Sequence, residues 1–181
     1  MELEKAIMGR RSVRDYETKP IPQEILGKIL KAGAMAPSAM DAQPCRFIVI
    51  ENRQRMLEIA EKVKQKLGLL GFGARLAERA RIKPDVIFYG APLLVIIVAE
   101  KGDWAETDCN LAAQNMMLRA YDLGLGSCYI GFMKTLKDDR QTLRELGLKD
   151  SQEIYCPLIF GYPKKWPEPK DRVENIQKRI K

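Results

Sequence analysis

Two hydrophobic periods alternate along this chain, one of helical spacing and one of short unbroken apolar runs. Glu2 to Met8 carries a short helical pattern closed by Gly9. Pro22 opens a second, with Ile25, Leu26, Ile29 and Leu30 on one face. It must stop before Pro37, because the residue ahead of a proline avoids the helical region. Phe47-Ile48-Val49-Ile50 reads as a short buried strand. Asn52 is placed to cap a helix running to Leu67, with Leu57, Ala60, Val63 and Leu67 as its apolar stripe and Gly68 past its end. Leu93 to Val98 is apolar almost throughout, the pattern of a central strand covered on both faces. Asp103 and Glu106 form a capping-box-like pair ahead of a long helix to Leu123. That helix is rich in Ala, Met and Leu, which predicts burial on more than one side, at the centre of the domain or at a dimer interface. Gly124 ends it, Ser127 to Ile130 is the next strand, Asp138 to Leu146 a short helix stopped by Gly147, and Ile154 to Phe160 another strand.

This order predicts an α+β fold, a mixed α/β sandwich whose central mixed β-sheet is flanked by helices. It is read as one domain over residues 1–181, with 161–181 as an extended C-terminal arm punctuated by Pro163, Pro167 and Pro169. Gly71 to Tyr89 is the least periodic stretch. It reads either as a lid over a site or as an ordinary surface helix, the second being preferred.

Composition narrows the chemistry. The chain has 181 residues, 46% hydrophobic and 30% charged, enough for a substantial core. Its longest strongly apolar run, Ala91 to Ala99, is too short to cross a bilayer. The N-terminal residues lack a signal-peptide core, so a cytoplasmic location is expected. The formal charge is +7. Lys and Arg are interleaved with Glu along helical stretches, the pattern of a solvated face, and no nucleic-acid motif is present. Four cysteines, at 45, 109, 128 and 156, include no Cys-x-x-Cys pair and read as buried small hydrophobes. Histidine is absent, which removes Ser-His-Asp and Cys-His triads and imidazole proton shuttles. For an enzyme built this way, a cofactor is the expected carrier of the difficult step.

Arg10-Arg11-Ser12-Val13-Arg14 is the densest chemical feature, with three guanidiniums and a hydroxyl in five residues. Arginine makes bidentate, charge-assisted bonds to phosphate. A solvated basic turn is the plainer alternative. Lys170 and Arg172 supply further cations near the other end. Gly124-Leu125-Gly126 follows a helix and precedes a strand, the reverse of the dinucleotide fingerprint, and Tyr129 replaces its third glycine. No Gly-x-x-x-x-Gly-Lys-[Ser/Thr] run occurs.

Four segments, in order, resemble the FMN-dependent nitroreductase family. They are Arg10 to Tyr16, the Pro37-Ser38-Ala39-Met40-Asp41-Ala42-Gln43-Pro44 loop, Gly124 to Gly131, and Gly161-Tyr162-Pro163 leading to Pro169-Lys170-Asp171-Arg172. The resemblance implies that Arg10, Arg11 and Ser12 meet the phosphate and ribityl groups of FMN. It implies that Arg14 lies near the flavin N1–O2 edge, and that Lys170 and Arg172 close over the phosphate. The backbone at Ile130 and Gly131 would face flavin N5. Pro37, Ser38, Ala39, Met40, Asp41 and Gln43 would come from the second subunit of a homodimer.

Two departures stand out: Asp41 replaces the family's Asn, and Cys45 replaces an aromatic that often follows Gln-Pro. The implied activity is hydride transfer from NADH or NADPH through flavin to a nitroaromatic, quinone or flavin, in ping-pong order. No membrane or nucleic-acid partner is expected. A flavin protein with another task, such as flavin cleavage, dehalogenation or redox sensing, and a basic nucleotide- or nucleic-acid-binding module are the rival readings.

Overall fold

A computed structural model describes residues 2–82, 85–168 and 172–180. In chain order the elements are α1 (Leu3–Gly9), α2 (Gln23–Ala34), β1 (Arg46–Ile50), α3 (Arg53–Leu67), α4 (Gly73–Ile82), β2 (Leu93–Glu100), α5 (Ala105–Asp122), β3 (Gly126–Tyr129), α6 (Arg140–Glu145) and β4 (Gln152–Gly161). Short 3-10 segments cover Ala39–Asp41 and Gly131–Asp138, and a π turn covers Gly68–Phe72.

The class is α+β, as the pattern predicts. The strands run in the order β1-β2-β4-β3, and every strand pair is antiparallel. The mixed character expected of the sheet is confined to one parallel bridge, Ser12 to Ser127, on the outer edge of β3. Alternate residues of β2 divide the core into two layers. Leu94, Ile96 and Val98 face Met56, Ile59 and Val63 of α3, while Leu93, Val95 and Ile97 face Met116 and the alanines of α5. Both faces of β2 are buried, as its unbroken apolar run requires.

Asn52 caps α3, its side chain accepting from Arg55 N at 2.9 Å. The buried face of α3 is Met56, Ile59, Ala60, Val63 and Leu67, however, and Leu57 is 37% exposed. Gly68 does not end the helix line. It stays right-handed and leads into the π turn, and the break falls at Gly71 with φ +81°. The chain then forms α4, followed by a buried turn at 85–90 in which Asp85 accepts from the N–H groups of Phe88 and Gly90.

The capping box expected at Asp103 and Glu106 does not form. Trp104 occupies the cap with no side-chain bond, and Glu106 pairs with Lys134 at 2.7 Å. No residue of α5 from Asn115 to Asp122 is fully exposed, but its first half leaves Glu106, Thr107, Asn110, Leu111 and Gln114 in solvent.

Asp139 caps α6 by accepting from Thr142 N at 3.1 Å, and its carboxyl is held below the usual range by the Thr142 backbone and hydroxyl bonds. A depressed carboxyl stabilises above its unfolded pKa of about 4 and loses that contribution as pH falls through the folded value. Asp139→Asn should therefore cost about 1 kcal/mol or less at pH 7 and flatten the acid limb of stability between pH 5 and 2, read by urea denaturation at stepped pH. An unchanged acid limb would remove this carboxylate from the account.

Candidate active site

The N-terminal segment reaches the sheet because Gly126 lets it. A Cβ on Gly126 would sit 2.6 Å from Val13 Cγ2, so only glycine admits Val13 beside β3. Val13 N then donates to Ser127 O at 3.0 Å, which fixes Arg10 to Arg14 along the outer edge of β3. Burial of Tyr16, with its hydroxyl donating to Val13 O at 2.8 Å, holds the far end of the segment.

The C-terminal arm runs back over this segment. Glu17 N donates to Tyr162 O at 2.9 Å, Tyr16 bridges Pro163, and Lys164 N donates to Asp15 O at 3.2 Å. The Trp166 ring meets Tyr121 edge-on, with centroids 4.9 Å apart. The arm thereby carries Arg172 to Arg10. Arg10 is held below its usual pKa by burial first, then by the charges of Arg11 and Arg172. Arg10 thus stands partly desolvated under the like charges of Arg11 and Arg172, an arrangement that suits an anion. Arg11 spends one guanidinium nitrogen on Met8 O and Arg10 O, while its Nε is buried without a partner. Lys170 lies outside the described residues.

Ser12 and Arg14 converge on Cys128, whose thiol burial pushes up against the opposing pull of Arg14, a Ser12 hydrogen bond and Arg10. The Arg14 guanidinium is exposed and donates to Ser12 O at 3.5 Å. Past β3, Ile130 N donates to Pro157 O at 2.8 Å and is committed to the sheet. Gly131 opens the 3-10 segment, where the first N–H groups have no intrahelical acceptor. From Ser127, beside Ser12, to Gly131 is four residues, at most about 13 Å of extended chain. Neither φ nor packing demands glycine at 131, since an added Cβ would meet only the Tyr129 ring at 3.6 Å.

Pro37, Ser38, Ala39, Met40, Asp41 and Gln43 do not join this group. Their loop sits at the opposite end of α5, where Ala39 N donates to the buried Asp108 carboxylate at 3.1 Å. Gly9 lies against Tyr121, thirteen residues further along the same helix, so about 20 Å of helix separates the two clusters. Met40, Asp41 and Gln43 all have φ near +50°, and Met40 is 93% exposed. Ser38 Oγ accepts from Gln43 N at 2.9 Å, and Asp41 accepts from the Gln43 amide at 3.1 Å.

The adjoining cysteine is more than a space-filler. Cys45 is half-buried with its Sγ 3.7 Å from that of buried Cys109. The bond between them pulls the Cys45 thiol down and pushes Cys109 up, and burial pushes Cys156, nearby, to about 12. Sequence spacing could not pair Cys45 with Cys109, because no motif links them.

A second feature had no sequence signal. A cavity of about 770 Å³ opens beside Gly131, between the π turn after α3 and the 3-10 segment. Among the described residues no helix is long and apolar enough to cross a membrane, and no three His, Cys, Asp or Glu side chains are grouped to hold a metal.

Known proteins share this fold. A Bacteroides fragilis nitroreductase with bound FMN superposes with a TM-score of 0.84 at 33% identity, over 99% of this chain and 98% of that one. A Methanothermobacter thermautotrophicus protein, provisionally named as an NADH dehydrogenase or NAD(P)H nitroreductase, is 30% identical over 94% of this chain and 82% of its own length. The NADPH-flavin oxidoreductase of Vibrio harveyi is 27% identical over 93% of this chain and 69% of its own. The model of the Nitroreductase family matches residues 7–162. With the N-terminal arginines, β3 and Gly131 all inside that match, the chain belongs to the Nitroreductase family.

Proposed function

We infer that this chain is an FMN-dependent oxidoreductase, working as a homodimer, that passes electrons from NADH or NADPH to a small nitroaromatic, quinone or flavin acceptor, the two reactants alternating at one site. The observation that carries the reading is the convergence of Arg10, Arg11 and Arg172 from opposite ends of the chain. A phosphate dianion there relieves the like-charge repulsion on Arg10. The names of the relatives, FMN-bound or NADPH-dependent, agree with it.

Bound FMN would supply hydride acceptance and donation at its N5. The chain supplies the rest. Arg10, Arg11 and Arg172 would hold the phosphate, and Ser12 the polyol. Arg14 would supply a fixed positive charge beside the ring system, which would favour its reduced form. Gly131 leaves room for close approach and offers a backbone N–H.

The homodimer follows from separation. The 37–43 loop and the arginine cluster cannot serve one ligand within a single chain, whereas two copies related by a two-fold axis can bring the loop of one to the cluster of the other. Exposed Met35, Met40, Trp104 and Leu111 at that end of α5 give such a contact its apolar surface.

The test is the visible spectrum of the purified protein, followed by anaerobic NADH or NADPH. Flavin bands that bleach support the reading. A colourless protein that does not take up added FMN would overturn it, and colour that neither nucleotide bleaches would point to a flavin protein of another kind. Gly131→Ala should fold with stability within about 1 kcal/mol of the parent, since its Cβ meets nothing tight. The same variant should bleach at least tenfold more slowly in stopped flow. Unchanged bleaching would mean that nothing approaches this backbone closely.

A further inference from the structure

The cavity beside Gly131 has a size and lining of its own. At about 770 Å³ it falls within the range of small-molecule sites. Its walls are Leu69, Leu70 and Phe72 from the π turn on one side and Phe132 from the 3-10 segment on the other, with the Phe72 and Phe132 rings 6.5 Å apart and tilted by 52°. Leu69 and Leu70 are largely exposed, which for neighbouring apolar side chains marks a surface that meets something.

The polar groups at this cavity are unbalanced. Lys66, Lys134 and Lys137 line it, against the single carboxylate of Asp138. Lys134 is committed to Glu106 at 2.7 Å. Among the described residues Lys66 and Lys137 make no ion pair, although Lys66 lies near enough to Asp139 to help hold its carboxyl down, so two lysines from different elements border an apolar slot with no salt bridge of their own. A neutral aromatic needs only the walls, whereas a ring bearing a carboxylate or sulfonate uses the lysines as well.

We propose that this cavity is the acceptor subsite and that Lys66 and Lys137 select planar aromatic acceptors carrying an anionic substituent over neutral ones of the same shape. This rests on the flavin reading for the identity of the reaction, but not for the preference itself. The ring lies against the apolar wall of Leu69, Leu70 and the paired Phe72 and Phe132 beside Gly131, and the anion points to the lysine rim. The cavity is separate from the arginine corner, so the same anion does not compete with a phosphate held there.

Two measurements test it. In the first, FMN-loaded protein is reduced with dithionite, so that no nicotinamide is present, and mixed anaerobically with 4-nitrobenzoate or 4-nitrobenzamide. The benzoate should half-saturate reoxidation at a concentration about fivefold or more below the amide. In Lys66→Gln/Lys137→Gln protein that ratio should fall towards one, and in the parent it should shrink with added salt. Equal half-saturation in the parent, or a preference that survives the double substitution, overturns the proposal.

The second is calorimetric titration of benzoate and benzamide, neither of which is reducible here, into the protein as purified. Tighter benzoate binding that the double variant loses supports the subsite even where NAD(P)H fails to bleach the protein. Equal binding of the two overturns the subsite even where bleaching is complete.

Discussion

Arg10→Ala protein should come off a column nearly colourless and take up FMN about 10- to 100-fold more weakly than the parent. A charge-assisted hydrogen bond in a partly desolvated corner is worth about 1.5–3 kcal/mol, and Arg10 is the cation there on which burial and the charges of Arg11 and Arg172 all act. Its removal also lifts the repulsion on Arg11 and Arg172, so the flavin-free protein should lose no stability. That opposition, weaker ligand binding with an unharmed fold, separates an anion site from a structural arginine. The measurement is fluorescence titration of FMN beside urea denaturation of the apo form. Unchanged FMN affinity would leave the cluster without its proposed ligand, and a destabilised apo form would make Arg10 a structural residue.

Phe160→Ala should lower stability by about 3–5 kcal/mol, the cost of deleting a fully enclosed ring and leaving a cavity that the sheet cannot collapse into. Phe160 lies on β4, one of the two interior strands, paired with Leu93 on one side and Ser127 on the other, within the layer shared with Met116 and Ala120 of α5. For a domain whose whole stability is of order 5–15 kcal/mol, this is a fifth or more. The urea midpoint should fall at an unchanged slope. Because Ser127 is the residue that anchors Val13, flavin affinity should fall too, though less than in Arg10→Ala. A loss under about 1 kcal/mol would mean that this layer repacks freely.

The elements legible in the sequence are those whose cause is local. Asn52 caps α3 through a bond three residues away, and Pro22 and Pro37 bracket α2 by backbone geometry alone. The misread features have causes outside their own segment. Glu106 has the spacing of a capping box but is drawn off by Lys134, which lies on the far side of β3 in the chain. On α3 the expected Ala60, Val63 and Leu67 are buried, but Leu57 falls at the edge of the stripe and Met56 and Ile59 complete it, because the sheet fixes the helix's rotation. Gly68 resembles a stop signal, yet the chain continues to Gly71 before it turns left-handed.

The candidate site divides in the same way. Arg10, Ser12 and Arg14 lie within five residues of one another, so their chemistry is readable as a block. Arg172 could be joined to Arg10 only through the family resemblance, and the path of the arm along residues 15–17 gives that pairing its physical reason. Lys66 and Lys137 lie on separate elements and carry no motif. Only the packing of α3 against the 3-10 segment brings them to one cavity.

Three residues of the 37–43 loop, none of them glycine, sit in the left-handed region, and each such residue costs about 1 kcal/mol or more. The ties from Ser38 Oγ to Gln43 N and from Asp108 to Ala39 N hold the loop in that shape within one chain. Its ordering entropy is therefore spent when the monomer folds. Whatever surface comes to meet Met40 finds a rigid, preorganised protrusion, and the association keeps the binding energy that a flexible loop would have consumed.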